Sequence, residues 1–221
     1  MMTNLFSTFD PSTSMYLSMN WVSTLMFIII IPMWFWMLPN RINIMYMLLM
    51  NKMNEEFKML LGKNSKGLTL MMISLFMFIM INNMMGLLPY IFTSSSHLTF
   101  TMTMALPIWL SLMMFGWINN TNNMFIHLIP SGTPAILMPF MVLIETISNI
   151  IRPGSLAVRL TANMIAGHLL MSLLGNNSIN NKFIILIMII QMMLMMFEAA
   201  VAVIQAYVFS VLSTLYSSEI I

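Results

Sequence analysis

The 221-residue chain is 60% hydrophobic and only 6% charged, and its mean hydropathy is +0.91; in a soluble domain roughly a quarter of the residues are charged. This composition describes an integral membrane protein, expected to be all-α and polytopic, and it excludes an ordinary soluble enzyme. A net charge of +2 without a basic cluster argues against nucleic acid as a partner, and the lack of any cysteine removes disulfides and thiolate metal sites.

The N-terminal part, residues 1–40, contains no basic residue. Its apolar run Trp21 to Leu38, "WVSTLMFIIIIPMWFWML", predicts a first transmembrane helix, since crossing the hydrocarbon takes about 20 apolar residues. No basic n-region precedes that run and no arginine-rich transit pattern is present. Thirty-two methionines with many Asn, Ile and Phe resemble the bias of an A+T-rich mitochondrial genome. Local synthesis is consistent with such a start, and the methionines are most simply flexible core filler.

Five of the eight basic residues (Arg41, Lys52, Lys58, Lys63 and Lys66) fall in the next segment, residues 41–67. By the positive-inside rule this segment faces the compartment of synthesis, with the N-terminus on the other side. The mixed polar and apolar spacing of Asn43 to Leu61 suits an amphipathic helix on the inner surface, with a solvated loop as the plain alternative. "GKNSKG" (Gly62 to Gly67) lacks the spacing of a phosphate-binding loop, and no strand precedes it.

Residues 68–118 hold two more apolar runs, Leu68 to Leu88 and Leu98 to Ile118, joined by the uncharged link "PYIFTSSSH" and expected to form an antiparallel transmembrane hairpin. Residues 119–134 form an inner-side loop. Its Asn-x-Thr match at Asn119, like the Asn-x-Ser at Asn176, is what an asparagine-rich chain gives by chance.

The last part, residues 135–221, has two over-long apolar stretches. Ala135 to Gly175 spans roughly 60 Å if helical, and Phe183 to Tyr216 roughly 50 Å, against a hydrocarbon core about 30 Å thick. In the first, only "RPGS" (Arg152 to Ser155) offers a break, so it is either two short helices or one kinked, slanting helix. The second contains neither proline nor glycine. With "GNNSINN" (Gly175 to Asn181) as the turn, the expected structure is a hairpin of two long, tilted helices.

These stretches hold Glu145, Arg152, Arg159, His168 and Glu198, and an ionisable residue inside a membrane helix is a functional candidate by default. For Arg152, beside the proline, an ion pair or a snorkelling end group is the plainer reading. Arg159 sits in "LAVRLTANM" with apolar neighbours. At about 100° per residue, Asn163 and Ser155 lie one turn to either side of it. Glu145 falls within about 40° of the same stripe, roughly 21 Å away, while His168 points nearly the opposite way, roughly 13 Å beyond. Gln191, Glu198 and Gln205, spaced by seven, form one polar stripe. That stripe reads as a helix-helix hydrogen-bond seam or, because it holds a carboxylate, as a proton path. His97, His127 and His168 have no second ligand at helical spacing, so neither a metal nor another cofactor is expected.

Arginine does not release its proton in a protein, whereas Glu and His do. A fixed cation between two separated sets of titratable groups implies two access paths with a barrier between them. A continuous proton wire would dissipate about 2.3 kcal/mol per charge for every 100 mV.

The segments "HLIPSGTP" (His127 to Pro134), "IETISNIIRPGSLAVRLTANMIAGHLL" (Ile144 to Leu170) and "IQAYVFSVLSTLYSSE" (Ile204 to Glu219) resemble subunit a of the mitochondrial F-type ATP synthase, in an insect-like form. "LFSTFDPS" (Leu5 to Ser12) and "GLLPYIFTSSSHL" (Gly86 to Leu98) agree. Ser131, where glutamine is expected, and the asparagine-rich Asn119 to Asn123, where histidine and glutamine are usual, depart from the pattern.

The resemblance implies a proton-translocating, non-catalytic subunit of the mitochondrial inner membrane. Its partners would be a ring of c subunits, the peripheral stalk and other membrane subunits, and lipid. Arg159 would face the ring and block leakage between half-channels. His168, Glu198, Asn163 and Gln205 would line or support the path from the intermembrane space, and Glu145 the path to the matrix. The alternative is a proton-pumping or structural subunit of a respiratory complex, but the buried lysines and internal repeats expected of such a pump are missing.

Overall fold

A computed structural model describes residues 5–14, 16–32, 38–62, 67–129, 134–178 and 184–220. Among these, four helices are long and apolar enough to cross a membrane, and all the regular structure is helical.

Among the described residues, the expected first transmembrane span, Trp21 to Leu38, is not one continuous helix. A 3-10 turn (Met19–Leu25) runs into α1 (Met26–Ile30), which stops where Ile31 becomes extended, at φ −66° and ψ 120°. Pro32 follows, and a proline biases the preceding residue away from the helical region. The remainder of the expected span, residues 33–37, lies outside the described residues.

The amphipathic segment is helical along its length, α2 (Arg41–Leu61), and ends at Gly62 with φ 72°, a left-handed value that glycine adopts without steric penalty. Phe57 is its anchor. This ring is fully buried against Met72 and Ile73 of α3 (Leu68–Gly86) and is flanked by Met50, Met53 and Val211. Lys63 and Lys66 lie outside the described residues.

α3 and α4 (Leu98–Asn119) are joined by the expected short link, within which Ser94–Ser96 form a 3-10 turn. They do not pack as a simple pair. α3 lies mainly along α7 (Ile184–Ile220), and α4 mainly along α6 (Met138–Ser178). The rings of Phe78 and Phe100, 5.7 Å apart, are a local contact between the first two. The segment expected to form the inner-side loop contains a short helix, α5 (Thr121–His127); Ser131 lies outside the described residues.

The two long helices are both continuous. α6 has 41 residues and passes through Pro153 without a break; a proline removes one intrahelical bond and crowds the carbonyl four residues earlier, a local penalty that packing can offset. α7 has 37 residues. At 1.5 Å per residue they are roughly 60 and 55 Å long, so neither fits upright in a bilayer.

The core lies where these helices cross. Leu75, Phe76 and Ile79 of α3, Ala105 of α4, Leu156, Ala157 and Leu160 of α6, and Ala206 and Phe209 of α7 form one buried cluster. Alanines at the crossings let backbones approach closely, which is how helices associate where lipid is as apolar as the side chains. α7 also buries Ser210, Ser213, Thr214 and Ser217. Each hydroxyl donates to the carbonyl three residues back, at 2.7 to 2.9 Å, so a polar face is internally satisfied while remaining small.

Candidate functional site

Arg159 lies on an exposed face of α6 with Ile151, Ser155, Val158, Ala162 and Ala166, while Leu156, Ala157, Leu160 and Thr161 turn into the core. Its guanidinium makes no ion pair or hydrogen bond with any described residue. A permanent cation is thus held on a side of the helix that the described residues leave uncovered, and the small Ala162 and Ala166 beside it leave room for close approach.

Toward the N-terminal end of α6, the structure gathers a charged cluster. Arg152 Nη1 donates to Glu219 Oε2 at 2.7 Å, and its Nη2 donates to Glu145 Oε1 at 3.4 Å. The ring of Tyr216 lies under the guanidinium, 4.9 Å from centroid to carbon. These groups, with Asn149 and Trp109, border a cavity of ≈ 450 Å³. Glu145, which the sequence placed near the Arg159 stripe but far from Arg159 itself, is ion-paired with Arg152, and Arg152 takes the structural pairing that its place beside Pro153 suggested. Glu219 was missed because it lies beyond the apolar run that ended at Tyr216.

Toward the other end of α6, Glu198 of α7 is buried and stands directly over Gly167. A Cβ at that glycine would come within 2.8 Å of Glu198 Cδ and 3.0 Å of its Oε1. Neither carboxylate oxygen has a hydrogen-bond partner among the described residues, and His168 Nε2 is likewise buried and unpaired. Phe9 meets the His168 ring edge-on, with centroids 6.2 Å apart. Asn163 and Gln205 are half-buried and make no side-chain hydrogen bond to another described residue. The structure thus places His168 and Glu198 on either side of one helix contact, and it keeps Glu145 with a different set of charges.

The sequence did not single out a further buried polar set close to this site. Asn83 of α3 is fully buried, and its Nδ2 donates to the Ala202 carbonyl, one turn after Glu198, at 3.4 Å. Asn83 Oδ1, Asn82 Nδ2 and Ser95 Oγ have no partner among the described residues. The adjacent asparagines in an otherwise apolar helix were the available signal.

Outside the spanning helices, backbone and side-chain hydrogen bonds from Ser12 hold the Asp10 carboxyl below its ordinary value. Burial pushes the Tyr46 hydroxyl of α2 up. Among the described residues, no three His, Asp or Glu side chains converge as metal ligands would.

Long apolar helices that hold an uncovered arginine between two separated groups of ionisable residues define a polytopic membrane protein organised around intramembrane charge. Residues 16–218 match the family model described as the ATP synthase A chain. Over 100% of both chains, the sequence is 62% identical to ATP synthase subunit a of Locusta migratoria, 61% to that of Aedes aegypti and 59% to that of Drosophila melanogaster. The chain belongs to the ATP synthase subunit a family.

Proposed function

We propose that this chain is the proton-conducting stator subunit of a mitochondrial F-type ATP synthase, in which other subunits perform the phosphate chemistry. It is a multi-pass protein of the inner membrane, with residues 41–67 toward the matrix and the N-terminus toward the intermembrane space. Its exposed α6 face meets a rotating ring of c subunits, and Arg159 attracts each ring carboxylate as it arrives deprotonated. Glu198 and His168, supported by Asn163 and Gln205, load protons onto the ring. The cavity bordered by Glu145 receives them on the matrix side.

The observation that carries this reading is the position of Arg159, unpaired and uncovered, between two ionisable clusters that do not touch. An arginine remains charged at any physiological pH. It therefore raises the barrier to a proton passing directly from one cluster to the other, while a carboxylate on a moving partner passes by exchanging its proton for the ion pair. A respiratory-complex subunit would not account for an open cationic face flanked by small residues.

The test is ATP-driven proton pumping, with passive proton conduction, in inner-membrane vesicles whose assembled complex carries Arg159→Ala or Arg159→Lys. The expected result is loss of coupled pumping in both, with passive leak retained or raised in the alanine variant. Normal coupled pumping in an intact complex would overturn the reading.

A further inference from the structure

His97 lies at the start of α4, where the rings of Trp21 and Phe92 clasp it, with centroids at 5.3 and 5.1 Å. The clasp is itself fixed: the Trp21 and Phe92 rings meet at 5.5 Å, and Ser23 Oγ donates to the Phe92 carbonyl at 3.2 Å. Two rings and a cross-segment hydrogen bond thus hold the imidazole in place. Its Nε2 is nevertheless buried without a hydrogen-bond partner among the described residues. Packing alone would be served by a phenyl ring, which has no polar atom to leave unsatisfied.

The unpaired nitrogen is not isolated. His97 follows the buried turn Ser94–Ser96, whose Ser95 Oγ is also unpaired. A Cβ added to Gly86 would lie 3.2 Å from Thr93 Cγ2 and 3.5 Å from Met164 Cε, so this link sits against both α3 and α6. One turn before Gly86 is Asn83, with its unpaired Oδ1 and its bond to Ala202. One turn after Met164 is Gly167, which carries Glu198. Unpaired polar atoms therefore lie on His97, Ser95, Asn83 and Glu198, on elements brought together by the contacts of Gly86 with Thr93 and Met164, of Asn83 with Ala202 and of Gly167 with Glu198. Buried polar atoms left unpaired by protein are satisfied by water.

We propose that His97 is a proton-relay residue at the outer mouth of the path to Glu198, which rests on the proton-conducting reading given above. The neutral ring takes a proton from bulk water at one nitrogen and passes one from Nε2 to the inner water chain. One N–H bond forms and one breaks, and the imidazole returns to its neutral state. Other titratable groups around it are few. The Met19–Leu25 turn, α3 and α4 carry none; the link adds Tyr90, whose side chain is fully exposed. Asp10 lies on the N-terminal segment, and α6 and α7 bring His168 and Glu198 to this end.

The test uses the whole ATP synthase in proteoliposomes, comparing wild type with His97→Gln, which keeps size and polarity without titrating, and His97→Phe, which keeps the aromatic clasp. ATP synthesis at a fixed driving force is measured against the pH of the compartment facing the α3–α4 link, with and without millimolar imidazole. The expected result is a fall on the order of tenfold in both variants, a flattened pH profile, and partial recovery with added imidazole. A full rate in His97→Phe, or a wild-type rate and pH profile in His97→Gln, would overturn the proposal. Arg159→Ala in the same assay separates the two readings. If it abolishes synthesis while His97→Gln is normal, only the relay falls; if it leaves synthesis intact, the proton-conducting reading falls as well.

Discussion

The carboxylate of Glu198 and the bare backbone of Gly167 occupy adjoining space, with 2.8 Å between Glu198 Cδ and the point where a Cβ on residue 167 would stand. Alanine at this position therefore displaces the carboxylate. The side chain is flexible enough to swing away, so a stability loss of about 1 to 3 kcal/mol is the ceiling expected from overpacking. Its displacement from the unpaired His168 region matters more. Gly167→Ala is expected to assemble while losing most of its ATP-driven pumping, and Gly167→Val to impair assembly. Blue-native gels alongside vesicle acidification check both; wild-type pumping in the alanine variant would mean that the position of Glu198 is not critical.

Arg152 bridges two helices, holding Glu145 on its own helix and Glu219 near the end of α7. Removing the guanidinium leaves two carboxylates facing one cavity. All three side chains are partly exposed, at 27%, 34% and 53%, so screening limits the effect to about 1 kcal/mol. Arg152→Ala should lower the thermal midpoint of the complex by a few degrees, and the difference should shrink in high salt. Arg152→Lys should recover only part of it, because an ammonium cannot form both bonds and lie flat on Tyr216. Glu219→Gln should be milder than Arg152→Ala, since Glu145 still pairs with the arginine.

What was legible in the sequence follows from physics that acts along a single helix. The length of α7 followed from an apolar run without proline or glycine, and Arg159 stood out as a permanent charge among apolar neighbours. Pro153 left α6 undecided because a proline weakens a helix locally, while the packing of Leu156, Ala157 and Leu160 against other helices decides whether it continues. Partnerships between helices were less readable. α3 and α4 are apolar on nearly all sides, so no stripe indicates that one lies along α7 and the other along α6. The seat of Glu198 on Gly167 depends on the register of α6 against α7, which neither helix encodes alone. Glu219 pairs with a residue 67 positions away, a separation that a pattern within one helix does not reveal.

The docking of α2 rests on Phe57, whose ring is fully buried between Met72 and Ile73. Tyr207 adds a bond from its hydroxyl to Glu56 Oε2 at 3.2 Å, in an exposed position where such a bond contributes little. Phe57→Ala removes the ring and leaves a void, a change of about 3 to 5 kcal/mol in a packed core. It should release α2 from α3 and α7, making residues 41–61 susceptible to protease added on that face, whereas Tyr207→Phe should leave the digestion pattern unchanged. Equal protection of Phe57→Ala and wild type would show that α2 is held by other contacts.

Asn83 offers a sharper test of how tightly the polar interior is arranged. Its amide donates to the Ala202 carbonyl, while its oxygen is unpaired. Replacing it with Asp exchanges a donor for a carboxylate and sets an acceptor against an acceptor at 3.4 Å. A buried, unpaired charge costs several kcal/mol unless it is protonated, and a protonated Asp restores a donor toward Ala202. Asn83→Asp should therefore assemble and pump best on the acid side, where the neutral form is favoured, and lose both as the carboxyl ionises. Asn83→Ala, which cannot titrate, should show a loss independent of pH. Parallel pH dependences of complex stability and pumping in the two variants check this, and identical profiles would place Asn83 in contact with water free enough to solvate the charge.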